Sequence, residues 1–421
     1  MIEPRETPDD TVETAVDAVG MPDSAAAADD AAVAVTDPAA VEASLAGSVS
    51  VLDREGDRLV VNIGPSHPST HGVCRVLVEL DGEIITNAEP IIGHLHRGIE
   101  KMAENRTYLQ VVPLTDRLDY VGSMYANWAY CRAVERLAGI RVPERAEYIR
   151  VIVCELQRIA SHMMSIGSTG ADTGATTAFM YSFWQREQVV DLFEQLCGAR
   201  LTYNYVRPGG VSFDIPEGWV DRCRDFIAKH PDAMREIDRL LFGNVICRAR
   251  TKGIGVLDPD DAVAWGVTGP TARGSGVDWD LRRDDPYSVY PRFDFDVPVG
   301  ERGDCYDRGR VRLFECIESC RIIGQALDQL AELEPGVIKA DGLPRLLAPR
   351  PGDAYDHIES ARGSLGVYLV SDGSVRPYRM KVRSPAFSNL AILPMLAKGH
   401  TLSDLVVILG SLDPVFGEVD R

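Results

Sequence analysis

The chain lacks the long apolar segments that mark membrane-spanning and exported proteins. Although 45% of its 421 residues are hydrophobic, no window of about 18 or more apolar residues is free of charges. Its first residues, MIEPRETPDD, are acidic, whereas a secretory signal has a basic stretch followed by an apolar one. We therefore expect no transmembrane helix and no export by the secretory route.

Lysine is scarce, and acidic residues outnumber basic residues. Only six of the 44 basic residues are lysine, and the formal net charge is −19. Residues 1–48 hold eleven acidic residues against the single Arg5, a net of −10, which leaves −9 for the other 373 residues. A duplex nucleic acid requires a basic face that neutralises its phosphates. The charge balance therefore excludes that class of partner.

Several enzyme signatures are also missing. The sequence contains no G-x-G-x-x-G, G-x-x-x-x-G-K-[ST], H-E-x-x-H or G-x-S-x-G motif, so none of these devices for nucleotides, zinc or acyl transfer is available. The nine cysteines form no C-x-x-C pair and are predicted to be core residues of a reducing compartment. The pairs Cys316/Cys320 and His94/His96 lack the further ligands of a structural zinc site. We predict core or solvated roles for them.

The sequence divides into four regions. Residues 1–48 are rich in Ala, Asp and Val and nearly free of aromatic residues, which predicts a disordered acidic tail. An N-terminal β module is predicted at 49–97, an α-helical core at 98–335 and a C-terminal α/β segment at 336–421. The predicted fold class is α+β, with a central helical bundle, an N-terminal antiparallel β-sheet and a small C-terminal β-hairpin.

Apolar periodicity supports this division. Two strands, Val73–Leu80 and Glu83–Pro90, flank Asp81-Gly82, a dipeptide that favours two-residue hairpin turns. A second hairpin is predicted from Gly366–Ser371 and Tyr378–Arg383, and Arg58–Gly64 alternates as a strand does. The apolar period of 3.6 residues predicts helical stretches near 98–138, 145–167, 176–198, 217–241 and 304–333.

The most unusual segment is the loop Gly64–Gly72, which carries His67 and His71 between two predicted strands. Two prolines and two glycines restrict its conformation. Further ordered motifs follow along the chain: His96-Arg97-Gly98-Ile99-Glu100-Lys101, Arg106-Thr107-Tyr108-Leu109-Gln110, Asp116-Arg117-Leu118-Asp119-Tyr120, Gly170-Ala171-Asp172-Thr173-Gly174, Arg207-Pro208-Gly209-Gly210-Val211 and Glu359-Ser360-Ala361-Arg362-Gly363. Together they resemble the D-type, or 49 kDa, subunit family of proton-pumping NADH:quinone oxidoreductase, respiratory complex I, over residues 57–421.

The resemblance extends to the large subunits of nickel–iron hydrogenases and implies their fold. Those enzymes bind their metals with two C-x-x-C pairs. At the matching positions this sequence has Asp119 and Gly122 in the first pair, and Val415 and Glu418 in the second. Because all four thiolates that soft metals prefer are missing, we predict no metal site in this chain and no hydrogenase activity.

The resemblance also implies a site for the headgroup of a quinone. His71 and Tyr120 would be the headgroup ligands, since imidazole and phenol groups can donate protons to the two quinone oxygens. Asp172, predicted to lie in a turn after a helix, would stabilise a charged His71; for the residue alone, a helix N-cap is the competing interpretation. Arg97 would lie near the terminal iron–sulfur cluster of a neighbouring subunit, unless it only forms a salt bridge with a carboxylate.

The implied assembly is a peripheral complex on the cytoplasmic side of the cell membrane. Its neighbours would be the small iron–sulfur subunit (B-type), the C-type subunit, the ferredoxin-like I-type subunit and the membrane-embedded H-type subunit, and NAD would bind on another subunit. Two alternatives stay open. The chain could serve a related complex that accepts electrons from a deazaflavin or ferredoxin partner, or it could be a non-catalytic scaffold in a hydrogenase-like assembly.

One position departs from the family. Many relatives carry a histidine where this sequence has Thr202, and that histidine is linked to the pH dependence of the cluster's potential. Because threonine does not titrate, we expect a weakly pH-dependent and lower potential, which favours menaquinone over ubiquinone. The alternative is that Thr202 only packs and that a group such as His162 accepts the proton.

Overall fold

The computed structural model describes residues 49–55, 58–65, 72–334 and 336–421. The acidic tail predicted at 1–48 lies outside the described residues. So do His67 and His71 of the loop between the second and third strands.

The N-terminal module is a four-stranded antiparallel sheet with the strands in chain order. Its strands are β1 (Val49–Glu55), β2 (Arg58–Ile63), β3 (Arg75–Asp81) and β4 (Ile84–Ile91). Asp81 pairs with Ile84, so the two-residue turn is formed by Gly82 and Glu83, one residue later than the predicted Asp81-Gly82, and Gly82 has the positive φ of 60° that such turns require. Val76 and Val78 are buried on one face of the sheet while Glu79 is exposed on the other. The predicted sheet is confirmed, with β1 as an additional strand.

Helices dominate the middle of the chain. They are α1 (Ile99–Glu104), α2 (Tyr108–Thr115), α3 (Ser123–Ala138), α4 (Glu144–Asp172), α5 (Thr176–Cys197), α6 (Trp219–Ile237), α7 (Val245–Thr251), α8 (Pro259–Ala264), α9 (Pro270–Gly274), α10 (Leu281–Asp284) and α11 (Cys305–Glu332). A π-helical turn, Asp238–Phe242, follows α6, and a 3-10 turn lies at Tyr290–Arg292. The short strands β5 (Val206–Arg207) and β6 (Gly210–Val211) form a separate ribbon.

The predicted helical stretch at 98–138 is in fact three helices. Thr107 starts α2 with a capping box, in which its backbone N–H donates to the Gln110 side chain at 3.1 Å. After α2 the chain turns through residues 116–122, where the Asp119 carboxylate accepts the N–H of Val121 at 3.1 Å. Asn105 and Arg106 at the first break are exposed, whereas the turn at residues 116–122 is mostly buried and continues the apolar pattern. Side-chain hydrogen bonds therefore end these helices at positions that apolar periodicity alone does not predict.

Helix α4 is the central element of the bundle. It has 29 residues, and its middle turns are buried on every side, including the charged residues Arg150, Glu155 and Arg158. These charges have partners: Arg150 bonds Glu135 at 2.6 Å, and Arg158 bonds Glu155 at 3.2 Å. Buried ions are tolerated when they are paired and hydrogen-bonded in this way.

The C-terminal region contains one strand more than the predicted hairpin. β7 (Gly352–Ser360), β8 (Gly363–Ser371) and β9 (Arg379–Arg383) form a three-stranded antiparallel sheet. The hairpin of β8 and β9 is confirmed. β7 escaped prediction because its acidic residues do not follow a simple apolar alternation, although Ile358 and Glu359 are both buried. The chain then continues through α12 (Pro385–Ala391), α13 (Leu393–Ala397), α14 (Leu402–Leu412) and α15 (Phe416–Asp420).

The N-terminal sheet packs on these last helices. Val76 and Ile85 of the sheet share one hydrophobic cluster with Leu390, Leu409 and Phe416. Ile85 also donates its N–H to the carbonyl of His400 at 2.8 Å. A second, larger cluster fills the helical bundle. Among the described residues, none of the helices combines the length and the apolar character that crossing a lipid bilayer requires.

Candidate functional site

A small cavity lies where the end of α4 meets the segment between α14 and α15. It has room of about 50 Å³ for water-sized molecules. Its lining residues are Tyr120, Val121, Met164, Ser165, Ser168, Asp172, Arg362, Gly410, Asp413, Pro414 and Val415. The structure thus brings Tyr120 and Asp172, two of the residues singled out from the sequence, to the walls of one cavity.

Tyr120 is positioned by the turn between α2 and α3. The carbonyl of Asp119 accepts the N–H of Gly122 at 3.0 Å, which closes the turn around the tyrosine. Burial raises the pKa of Tyr120, and the positive charge of Arg362 counteracts part of that rise. The phenol therefore keeps its proton at neutral pH and is able to donate it.

Asp172 is the last residue of α4, and not a residue of the turn that follows. The predicted turn position and the competing N-cap interpretation are both wrong, since α5 begins at Thr176 and its N-cap is Ala175. Burial raises the pKa of Asp172 to about 6, and Arg250 opposes the rise. A Cβ added at Gly410 would lie 3.0 Å from the Asp172 carboxylate. The absence of a side chain at Gly410 therefore gives this carboxylate room in the cavity wall.

His71 lies outside the described residues, but both ends of its loop are defined. β2 ends at Ile63, which pairs with Val76 of β3. Cys74, just after the loop, is fully buried, and Asp420 of α15 contributes to the raised pKa of its thiol, after burial. The described residue Cys74 therefore places the start of β3 near α15.

Arg97 lies on the same side of the molecule, ahead of α1. Its Nη2 donates to the backbone carbonyl of Arg117 and would lie 3.1 Å from a Cβ at Gly417. Burial lowers the pKa of Arg97. No carboxylate of the described residues lies within ion-pairing distance of its guanidinium, so the competing salt-bridge interpretation finds no support in that part of the chain.

One of the four positions that match the hydrogenase ligands, Asp119, forms a buried ion pair. The Asp119 carboxylate bonds Arg362 Nη1 at 2.9 Å, and a side chain at Gly122 would overlap this carboxylate. Asp413, two residues before Val415, lies 3.3 Å from Arg362 Nη2. Within the described ranges, no group of three or more His, Cys, Asp or Glu residues is arranged to hold a metal ion. The role of Arg362 was missed from the sequence, although this arginine lies in the quoted motif Glu359–Gly363.

The chain is similar to a large set of known proteins. The family model of the respiratory-chain NADH dehydrogenase 49 kDa subunit matches residues 172–349 and 343–421. A protein of Desulforamulus reducens that bears the name of the D-type subunit of NADH-quinone oxidoreductase is 50% identical over 364 residues, which cover 86% of this chain and 98% of that protein. Proteins of the same name from Clostridium beijerinckii and Geobacillus thermodenitrificans are 51% and 48% identical, over 88% and 86% of this chain and 99% of each relative. The chain therefore belongs to the family of the 49 kDa subunit of respiratory-chain NADH dehydrogenase.

Proposed function

We propose that this chain forms the quinone-reducing site of an NADH:quinone oxidoreductase, together with the small iron–sulfur subunit of that complex. The chain is a subunit of this complex, as its family and its identity to the named relatives indicate. The observation that carries the proposal is the convergence of Tyr120 and Asp172 on one cavity. These residues are 52 positions apart in the sequence, and the family motifs alone do not make them neighbours.

Tyr120 and His71 are the proposed proton donors. Reduction of a quinone to a quinol adds two electrons and two protons, and each oxygen of the ring receives one proton. The electrons come from the partner's iron–sulfur cluster, near which we place Arg97. The phenol of Tyr120 is protonated at neutral pH, because burial raises its pKa, and it donates to one oxygen. The imidazole of His71 donates to the other.

Asp172 is proposed to stabilise the charged form of His71. Its pKa of about 6 means that the carboxylate is mainly ionised at neutral pH, so that it can face an imidazolium. When His71 loses its proton to the quinone, the attraction between the two groups disappears. Arg250, whose positive charge lowers the pKa of Asp172, then remains as the cation that stabilises this carboxylate.

The cavity is too small for a quinone within this chain alone. Ligand pockets usually have about 300–1,000 Å³, against about 50 Å³ here. We propose that the small iron–sulfur (B-type) subunit supplies the opposite wall, and that the C-type and I-type subunits and the membrane-embedded H-type subunit complete the surroundings. The complex would be peripheral on the cytoplasmic side of the cell membrane, with menaquinone as the favoured substrate.

The test compares single substitutions in the intact complex. Tyr120→Phe and His71→Ala should each lower quinone reduction by about a hundredfold, while electron transfer from NADH to an artificial acceptor at the input end stays near the native rate. Tyr378→Phe is the matched control, because that tyrosine is 68% exposed and does not line the cavity. Native quinone reduction in Tyr120→Phe, or equal losses in both assays, would refute the assignment.

A further inference from the structure

Glu418 is a buried carboxyl group near the ion pair of Asp119 and Arg362. It lies in α15, is fully buried, and neither of its two carboxyl oxygens has a hydrogen-bond partner among the described residues. No cation of the described residues lies within ion-pairing distance of it. An ionised carboxylate in such surroundings is costly. The proposed mechanism at Tyr120, His71 and Asp172 makes no use of this group.

The charges around Glu418 explain why it stays unpaired. Its carboxylate neighbour Asp119 already occupies Arg362 at 2.9 Å, and Asp413 lies 3.3 Å from the same guanidinium. The other charged and polar groups that face this region are Arg383 and Ser384 next to Glu418, Arg312 next to Asp413, and Arg97 next to Tyr120. Two carboxylates thus share one guanidinium, and a third negative charge has no ion-pair partner there.

Glu418 is consequently protonated at neutral pH. Burial is the main cause that raises its pKa to about 8, and Asp119 adds to the rise, whereas Arg362, Ser384 and Arg383 oppose it. The Ser384 hydroxyl acts from nearby without completing a hydrogen bond to either carboxyl oxygen. At pH 7 the protonated form then outnumbers the ionised form by about ten to one. Glu418 therefore holds a proton within electrostatic reach of Asp119, which precedes Tyr120 in the sequence.

We propose that Glu418 is the proton store of the quinone site, and that it reprotonates Tyr120 after the tyrosine has donated to the reduced quinone. The inference rests on the proposed function, in which Tyr120 is a donor. The O–H bond of the Glu418 carboxyl breaks and the O–H bond of Tyr120 reforms, so this single proton transfer is balanced between the two side chains. Asp119 is the proposed relay for the proton, since it precedes Tyr120 in the sequence and its charge raises the pKa of Glu418. Glu418 later regains its proton from water.

The order of acidities makes this transfer favourable. The phenol of Tyr120 has a pKa above its ordinary value of 10, chiefly because it is buried. A phenolate formed there takes a proton readily from a carboxyl group whose pKa is about 8. Arg362, which contacts Asp119 and Asp413, also lowers the pKa of Glu418 and so stabilises the carboxylate that remains. Apart from the water that later reprotonates Glu418, no external reagent is required beyond the quinone reaction itself.

The experiment uses Glu418→Gln in the intact complex. Glutamine has the shape of the protonated acid but has no proton to release. We expect quinone reduction to fall by about tenfold or more, with native electron transfer from NADH to an artificial acceptor. Time-resolved infrared difference spectra of the native complex should show the C=O band of a protonated carboxyl lost transiently on quinone reduction, before Glu418 regains its proton, and this signal should be absent in Glu418→Gln. The exposed Glu332→Gln is the matched control.

Dependence on pH supplies a second measurement. In the native complex Glu418 loses its proton as the pH rises through about 8, so the rate of quinone reduction should fall over this range. Glu418→Gln should lack this decline. Glu418→Asp should keep a shifted carboxyl band. A native rate with the band retained in Glu418→Gln would overturn the proposal even if Tyr120→Phe remains inactive. Native activity of Tyr120→Phe would instead refute the proposed function, so the two failures are distinguishable.

Discussion

Thr202 has a backbone conformation that β-branched residues rarely adopt. Its φ is 54°, in the left-handed region, where such residues are outliers. The chain around it is held by neighbours: the N–H of Asn204 donates to the buried Asp116 carboxylate at 3.1 Å, and Tyr203 packs against Phe193 with ring centroids 4.6 Å apart. Surrounding contacts, and not the preference of threonine, therefore set this conformation.

The iron–sulfur cluster that we propose for the small subunit should have a weakly pH-dependent potential in the native complex. The reason is that Thr202 does not titrate, whereas histidine would take up a proton near neutral pH. Thr202→His should raise the potential and make it pH-dependent, and histidine tolerates a left-handed backbone better than threonine does. A redox titration of the cluster over about pH 6 to 9, with both proteins, measures this difference.

Two other groups serve as controls for that titration. Burial lowers the pKa of His162 to about 4, so the imidazole is uncharged over the titrated range, and its Nε2 lies 2.8 Å from the Glu315 carboxylate. Burial raises the pKa of Asp116 to about 6, which makes Asp116→Asn the informative variant. A strong native pH dependence that Thr202→His leaves unchanged would contradict the expectation, and its loss in Asp116→Asn would identify Asp116 as the proton acceptor.

At the scale of elements, glycine allows the ribbon of β5 and β6 to touch the core. A Cβ at Gly210 would overlap the carbonyl oxygen of Ile338, and the Gly210 carbonyl accepts from Arg150 Nη2 at 3.0 Å. Val211 donates its N–H to the same Ile338 carbonyl at 3.2 Å. The Gly209-Gly210 motif therefore lets three backbone segments meet around a buried arginine.

Gly210→Ala should lower the free energy of unfolding by about 3 kcal/mol, because the added methyl group displaces backbone that cannot yield easily. Gly218→Ala is the control. Gly218 also has a positive φ, of 72°, but open space around its Cβ position, so its loss should be about 1 kcal/mol. Thermal unfolding of the purified chains compares the two. Equal losses would show that the conformation, and not the close contact, is what matters at Gly210.

Apolar periodicity predicted the types of most helices and strands but located their ends less well. The single helical stretch at 98–138 was divided by the Thr107 capping box and by the Asp119 turn, which depend on individual side-chain hydrogen bonds. Helix α4 was expected to stop at 167 but continues to Asp172, because Gly167 and Gly170 in its last turns let α5 pack closely against them. Tertiary contacts thus moved boundaries that local propensity could not locate.

At the scale of the whole molecule, family motifs identified residues of the candidate site but not their electrostatics. Tyr120 and Asp172 were named from the sequence and line one cavity. Arg362 and Glu418 lie 242 and 298 residues beyond Tyr120, and their significance depends on burial and on which carboxylates share a guanidinium. Such pairings arise from tertiary structure, so a single sequence does not reveal them.

The purified chain should contain no stoichiometric nickel or iron of its own. The four positions that bind the metals in hydrogenases are Asp119, Gly122, Val415 and Glu418, and Arg362 already neutralises Asp119. A divalent cation would have to enter beside that guanidinium without a thiolate ligand. Elemental analysis of the chain after purification without chelators is the measurement, and one nickel per chain would contradict the expectation.

The packing of the N-terminal sheet on the last helices has a consequence for biosynthesis. The apolar face of the sheet is covered by residues near 390–419, about 300 residues after β4 ends at Ile91. At about 5–20 residues per second, a ribosome needs roughly 15 to 60 s to synthesise that interval. The nascent sheet must wait that long with its apolar face uncovered, so co-translational holding by chaperones should matter more for this module than for the helical bundle that emerges in between.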